Sequence, residues 1–345
     1  MNFRERRTQV IAAAVAIVIV LVAAGFALSG GHKKASSPTT TAVAATTSTT
    51  AKRRVPPGGV IAPLTGQRDV TGASVTRPAL TVKVENTHAA YPQIGVAAAD
   101  VVYEEVVEGG ITRLLAIYNS QVPPTVGPIR SVRRTDQSVV TPVGGIFVYS
   151  GGAAYAIQSI ETAPVTLVDE TRAGSAMFRV HSRIKPHNLF GHAAQLFAFG
   201  AKPVPPPPLF SYRAANQAPG GVAATQFHVG LGSGFGVSYA YNATTSTWGR
   251  TVDDPSVEAA TPENPRNVIV MFVDYVGGVG VIGSEANLVG SGNATVFTGG
   301  HRVDGRWLRP DRAKPARFVD ATGKTIGLTP GQTWVELAPT GTPVS

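Results

Sequence analysis

The sequence predicts an α+β protein in which a mixed α/β domain precedes a small all-β domain. Residues 58–200 alternate β-rich runs with helical ones, whereas residues 223–341 hold short β-rich runs between turn signals and no long helical period. Residues 10–28 form an uninterrupted apolar segment ahead of both. Together these observations predict two folded domains behind one membrane segment and a disordered linker.

The apolar segment 10–28 is predicted to be a transmembrane helix. Its nineteen residues span about 28 Å at about 1.5 Å each, close to the thickness of a bilayer core. Residues 1–9 carry three arginines against one glutamate, and this basic flank places the N-terminus in the cytoplasm. A signal peptide cleaved after residues 27–29 is the alternative. The predicted location is the cell membrane, single-pass, with the bulk of the chain extracytoplasmic.

Residues 29–57 are predicted to be a flexible tether, because Ser, Thr, Ala and Pro with few large apolar side chains cannot form a core. Residues 1–54 hold eight basic residues and one acidic residue, and so carry +7 of the formal net charge of +9. The nearly neutral remainder does not indicate nucleic-acid binding. The chain has no cysteine, which excludes disulfides, thiol chemistry and a lipid-modified cysteine anchor.

The first domain is predicted to contain a β-hairpin over residues 101–119. Two β-rich runs flank Gly109-Gly110, where both glycines can take positive φ. Period-two alternation would place Glu104 and Glu108 on one face of the strand and Glu105 on the other. The acidic side chains of this strand are therefore expected to divide between two environments.

Helices and strands are predicted to alternate through the rest of this domain. Residues 129–140 are predicted to form a helix with Arg130, Arg133 and Arg134 on one side. The remaining predictions are strands at 78–85, 146–149 and 165–169, and helices at about 153–161 and 192–200.

The boundary between the domains is predicted at residues 201–222, where KPVPPPP and NQAPGG oppose regular structure. The all-β domain at 223–341 is expected to be a sandwich or a partly closed barrel, with turns at 303–305 and 322–324.

Six sequence blocks resemble the YerB-like family of bacterial envelope proteins. They are VENTHAAYPQIGVAAADVVYE, VEGGITRLLAIY, GPIRSVR, SRIKPHNLF, NVIVMFVDY and PGQTWVELAP. The resemblance covers about residues 60–340 and implies an N-terminal domain of unknown function followed by its own C-terminal domain. It implies no reaction. The positions that match the family motif are Glu85, Asn86, Gln93, Asp100, Tyr103, Glu104, Glu108, Thr112, Arg113, Arg130, Arg133, Arg183, His187 and Asn188.

This sequence departs from the family pattern in two places. Many relatives resemble lipoproteins with an anchoring cysteine, which this chain lacks. Where relatives tend to have a histidine before the Gly-Gly that follows the central strand, this chain has Tyr149-Ser150-Gly151-Gly152.

The arginines of the first domain are the strongest candidates for a binding site. Guanidinium groups suit carboxylates and phosphates that are held by two hydrogen bonds. A structural network in which Arg113 and Arg130 pair with Glu104 and Glu108 is the equally weighted alternative. The predicted ligand-binding residues are Glu85, Asn86, Arg113, Arg130, Arg133, Arg183, His187 and Asn188.

Catalysis and metal binding are less strongly indicated. If the protein processes its ligand, Glu104 or Glu108 is the candidate acid/base, with His187 assisting. Ser150 lacks the glycine that precedes a nucleophile-elbow serine, so capping of the next helix is the preferred interpretation. The histidine spacing in residues 181–192 matches no zinc motif, and no metal or cofactor is predicted.

These observations lead to the hypothesis of a membrane-anchored extracytoplasmic protein that binds, or also processes, a cell-wall glycan or another anionic envelope ligand. Its predicted partners are the cytoplasmic membrane, a cell-wall polymer and envelope proteins, with no nucleic acid. A non-enzymatic envelope assembly module and a small-anion solute-binding protein are the two alternatives.

Overall fold

The computed structural model describes residues 58–232, 234–254 and 263–345. The strands of the first half are β1 (Val60–Ile61), β2 (Arg68–Asp69), β3 (Leu80–Glu85), β4 (Val101–Val106), β5 (Thr112–Tyr118), β6 (Thr125–Val126), β7 (Ile146–Val148), β8 (Thr166–Val168), β9 (Met177–Arg179) and β10 (Leu189–His192). Those of the second half are β11 (Val222–Ala223), β12 (Gln226–Gly232), β13 (Phe235–Asn242), β14 (Thr247–Val252), β15 (Asn267–Val273), β16 (Tyr275–Val276), β17 (Glu285–Ala286), β18 (Gly290–Thr298), β19 (His301–Arg309), β20 (Arg317–Asp320) and β21 (Thr333–Pro339).

An 11-stranded sheet takes strands from both halves of the chain. Its order is β11-β19-β18-β15-β21-β4-β5-β3-β7-β8, with β20 added beside β19. Strand β21 pairs in parallel with β15 on one side and with β4 on the other. The predicted α+β fold class is therefore wrong: the chain is mostly β. Periodicity indicates each strand locally but not its partner, so the junction at β21 was not visible in the sequence.

The described residues also contain four short α-helices, besides short 3-10 turns. They are α1 (Arg134–Val143), α2 (Ala154–Ile160), α3 (Glu170–Ala173) and α4 (Ala193–Phe197). In the ranges that the structure covers, no helix has the length and apolar character needed to cross a membrane. The predicted transmembrane helix at 10–28 and the tether at 29–57 lie outside the described residues. The boundaries at 58–200, 201–222 and 223–341 stay predictions.

Apolar layers cover both faces of the large sheet. Strands β12, β13 and β14 form a separate sheet, whose Phe227 stacks on Phe297 of β18 with ring centroids 3.5 Å apart. Trp248 of β14 meets the same ring edge-on. Burial of such aromatic side chains supplies much of the stabilisation in a core of this kind.

Several local predictions can be compared directly with the structure. The hairpin at Gly109-Gly110 is confirmed, and both glycines have positive φ, 78° and 73°. Its loop, however, comprises residues 107–111 and not the two glycines alone. Helix α1 begins only at Arg134, because Asp136 accepts the backbone N–H of Arg133 at 2.7 Å and caps the helix there. The predicted helical face shared by Arg130, Arg133 and Arg134 is therefore wrong. The turn predicted at 303–305 is also wrong, since β19 runs through it.

Candidate functional site

Charged residues gather where β3 and β4 end and β5 begins. Arg113 of β5 lies opposite Glu85 on β3 and Glu105 on β4. Strand alternation gives these side chains and that of Lys83 the same face of the sheet. This face therefore brings together charged groups from three strands.

Two further segments bring arginines and a histidine to this end. Arg130 Nη2 lies 3.1 Å from Glu85 Oε1, and His187 Nδ1 lies 2.9 Å from the same oxygen. Arg133 donates to Glu108 Oε2 through Nε at 2.8 Å, and its Nη2 lies 2.7 Å from the same atom. We call this group the arginine cluster: Glu85, Glu108, Arg113, Arg130, Arg133 and His187.

The arginine cluster places three guanidinium groups beside Glu85 and Glu108, and Glu105 of the neighbouring strand is a third carboxylate opposite Arg113. Burial together with the charges of Arg133 and Arg130 lowers the pKa of Arg113 to about 10. Within the described chain, the buried Nε atoms of Arg113 and Arg130 and the buried Oε2 of Glu85 have no hydrogen-bond partner. The hydrogen-bonding capacity of the cluster is therefore not fully used within the protein.

The arginine cluster is partly open to solvent. The side chains of Arg130 and Arg133 are 17% and 15% exposed, and that of His187 is 21% exposed. Burial opposes ionisation of Glu108, but Arg133 outweighs it and lowers the pKa of that carboxyl. The group is therefore neither dispersed over separate surfaces nor sealed in the interior.

A fully buried ion triad lies beneath the arginine cluster. Lys83 binds Glu105 and, at 2.7 Å, Asp136. Burial and the nearby Glu105 raise the pKa of Asp136 to about 6, while Lys83 opposes the shift. Since Asp136 also caps α1, the triad positions the segment that carries Arg130 and Arg133. The triad is inaccessible to a ligand and has a positioning role.

Two of the predicted binding residues, Arg183 and Asn188, lie in other contacts. Arg183 donates to the backbone carbonyls of Ala90 and Pro92, both at 2.8 Å. Asn188 accepts from Arg179 at 2.8 Å and donates to the carbonyl of Val180. These hydrogen bonds stabilise the conformation of residues 179–189. They also occupy the polar groups of Arg183 and Asn188 that were predicted to bind a ligand.

Asn86 and Glu104 belong to a second buried network on the opposite face of the sheet. Glu104 accepts from Asn86 at 2.8 Å, from Thr112 at 2.6 Å and from Arg250 at 2.6 Å. Glu104 and Glu108 therefore do not share a face as predicted, because β4 ends at Val106 and the chain turns before Glu108. Because this network joins residues from both halves of the chain, we call it the seam network: Asn86, Glu104, Thr112, Tyr239, Arg250 and Glu336.

Glu336 of β21 completes the seam network beside Glu104. It accepts a hydrogen bond from Tyr239 and lies in register with Glu104. Burial and the Glu104 carboxylate raise the pKa of Glu336 well above its ordinary value. The guanidinium of Arg250 lies 4.6 Å from the ring centroid of Trp334. The raised pKa favours the protonated form of Glu336 beside the buried ion pair of Glu104 and Arg250.

Comparison with known proteins agrees with this architecture. Residues 64–202 match the family described as "Protein of unknown function (DUF3048) N-terminal domain", and residues 227–335 match its C-terminal domain. The chain belongs to the DUF3048 family. The resemblance to YerB-like proteins predicted from the six blocks is confirmed.

One curated relative and one solved structure resemble this DUF3048 chain. "Putative lipoprotein YerB" of Bacillus subtilis (strain 168) is 27% identical over 299 residues, which cover 81% of this chain and 86% of YerB. The crystal structure of YerB from the same organism matches with a TM-score of 0.69 at 24% identity, covering 83% of this chain and 99% of that one. The structural likeness shows a common fold.

Sequence reasoning on this DUF3048 chain missed the partners that come from the second half. Arg250, Tyr239 and Glu336 lie more than 130 residues from Glu104 in sequence, and no local pattern connects them. Lys83, in the middle of the apolar run LTVKVE, was a usable signal, because a lysine at an inward strand position requires a buried partner. In the part of the chain described, no three His, Asp or Glu side chains are grouped to hold a metal ion.

Proposed function

We propose that this protein is an extracytoplasmic envelope protein that binds an anionic cell-wall polymer or glycan through the arginine cluster. The observation that carries the proposal is the convergence of Arg113, Arg130 and Arg133 beside Glu85 and Glu108, with the side chains of Arg130 and Arg133 partly exposed. Guanidinium groups bind carboxylates and phosphates with paired hydrogen bonds. An anionic ligand would accept hydrogen bonds from the partly exposed arginines.

The proposed envelope location is supported by the N-terminal sequence and by the similarity to YerB. The apolar segment and basic flank at the N-terminus favour export of the chain, and the relative YerB is named as a lipoprotein. Phosphate-rich and carboxylate-rich polymers are abundant outside the membrane of a bacterium, so a modest arginine site there has a plentiful ligand.

Binding without bond cleavage is the activity that the geometry favours. Glu104 is fully buried and paired with Arg250, so it reaches no ligand at the arginine cluster. Arg133 keeps Glu108 ionised, which removes the proton that a general acid needs. Of the three candidate catalytic residues, His187 is the one that is partly exposed and in contact with Glu85.

Sedimentation of the full-length protein with isolated cell walls tests the proposal. Arg130→Gln and Arg133→Gln are each expected to lower wall retention about tenfold, the loss of one charge-assisted hydrogen bond. Arg302→Gln is the matched control, because Arg302 pairs with Asp304 at 3.0 Å on β19 and lies outside the cluster. Retention should also fall with added salt and after removal of phosphate polymers from the walls.

Equal retention of the three variants and the parent protein would contradict the proposal. Release of soluble wall fragments by the parent protein, abolished in His187→Ala, would show instead that the site processes its ligand. Circular dichroism of every variant ensures that lost retention reports binding rather than unfolding.

A further inference from the structure

An exposed aliphatic loop joins β16 to β17. Across residues 276–283, Val276 is 60%, Val279 46%, Val281 49% and Ile282 79% exposed. Glycines with positive φ separate these side chains: Gly277, Gly278, Gly280 and Gly283. Single exposed apolar side chains are common on protein surfaces, whereas several of them close together indicate an interaction site. We call this segment the aliphatic loop.

The aliphatic loop is fastened beside the arginine cluster. The backbone N–H of Gly109 donates to the carbonyl of Gly280 at 3.0 Å. Gly109 directly follows Glu108, the carboxylate that binds Arg133. A Cβ atom added to Gly280 would lie 2.9 Å from the nitrogen of Gly110, so only glycine allows this approach.

Other arginines border the base of the loop. Arg134 lies 5.0 Å above the ring of Tyr155, and that ring lies against Gly283. Arg312 Nη2 is 3.9 Å from Glu285, the residue that opens β17. Glu108 and Glu285 each face an arginine, Asp274 is an exposed carboxylate directly before β16, and Arg134 has no ion pair among the described residues. The loop is therefore an apolar tip with arginines at its base.

We propose that the aliphatic loop inserts into the headgroup layer of a bilayer rich in anionic lipids, with the neighbouring arginines contacting lipid phosphates. An apolar tip above a basic flank is the composition that interfacial membrane segments use. Four partly exposed Val and Ile side chains offer only about 300 Å² of apolar surface, whereas a stable protein interface buries about 800 Å² on each partner. The inference goes beyond wall binding and does not depend on it.

A fluorescent probe on the loop tests this inference. The chain has no native cysteine, so Ile282→Cys provides a single attachment point for an environment-sensitive NBD dye. The control is Val222→Cys, which replaces a 65% exposed residue on β11, the edge strand five places from β4. The labelled full-length protein is reconstituted with vesicles of phosphatidylcholine alone or with 30% phosphatidylglycerol.

Insertion predicts a blue-shifted emission and at least a twofold intensity gain for the dye at position 282 in anionic vesicles, reduced by 0.5 M NaCl. The dye at position 222 should change little. Three results would overturn the inference. They are unchanged emission at position 282 with anionic vesicles, an equal shift in phosphatidylcholine alone, and a lipid-free shift that grows with protein concentration, which would assign the loop to a second copy. Wall retention of Ile282→Cys should equal that of the parent, which separates this test from that of the arginine cluster.

Discussion

Replacement of Glu336 by glutamine should make the protein less sensitive to rising pH. Glu336 is fully buried, accepts from Tyr239 and faces Glu104 across the strand pair. Burial and the Glu104 carboxylate raise its pKa well above the ordinary 4.5. Glutamine is neutral at every pH, has nearly the same shape and keeps an oxygen for the tyrosine hydroxyl.

The magnitude follows from proton linkage. Between pH 4.5 and the raised pKa, the native state keeps a proton on Glu336 that the unfolded state releases. The free energy of unfolding of the parent protein therefore falls as pH rises, by up to about 1.4 kcal/mol per pH unit for one proton. The Glu336→Gln variant lacks this term. At about 2 °C per kcal/mol for a folded region of this size, its melting temperature should gain about 3 °C on the parent for each pH unit in this range.

Thermal unfolding followed by circular dichroism from pH 5 to pH 8 measures the difference. Glu161→Gln, which removes an exposed carboxylate, is the control and should run parallel to the parent. If the Glu336→Gln curve also runs parallel to that of the parent across the whole range, the native state holds no extra proton at Glu336. The assignment of the protonated form to Glu336 in the seam network would then be wrong.

Three further substitutions probe the buried charges and the turns. Lys83→Met should lower the free energy of unfolding by about 3–5 kcal/mol, because it leaves the Glu105 and Asp136 carboxylates buried without their cation; urea denaturation checks this, and a loss under 1 kcal/mol would contradict it. Gly145→Ala should be much more destabilising than Gly109→Ala in the same assay. Both glycines have positive φ, but a Cβ at residue 145 would lie 2.3 Å from a backbone oxygen, whereas none is within 4 Å at residue 109. If both glycine substitutions lowered the free energy of unfolding equally, the loss would come from the positive φ alone and not from the steric clash at residue 145.

The arginine cluster shows how far local reasoning reaches. Arg113, Arg130, Arg133 and His187 were each selected from their own segment as candidate binding residues, and they do converge on the end of β3. The predicted reason for this convergence was wrong: Arg130 and Arg133 were expected on one face of a helix, but both precede the helix, which begins at Arg134. Asp136, by capping α1, decides where the helix begins.

The opposite result holds for Arg183. It was selected for the same chemical reason as Arg130, but its guanidinium binds two backbone carbonyls of the neighbouring loop. A sequence identifies a side chain that can form bidentate hydrogen bonds. It does not identify whether another part of the same chain already occupies those donors.

From the sequence alone came strands β3, β4, β5, β7 and β8, the glycine hairpin and the family membership, because alternation, positive φ and motif order are properties of neighbouring residues. The single sheet, the seam network and the exposed aliphatic loop were decided by tertiary structure. Strand β21 reaches between β15 and β4 only after the whole chain has folded, and it brings Glu336 beside Glu104 across more than 230 residues of sequence. Contacts between segments so far apart depend on the arrangement of complete elements, which no local pattern encodes.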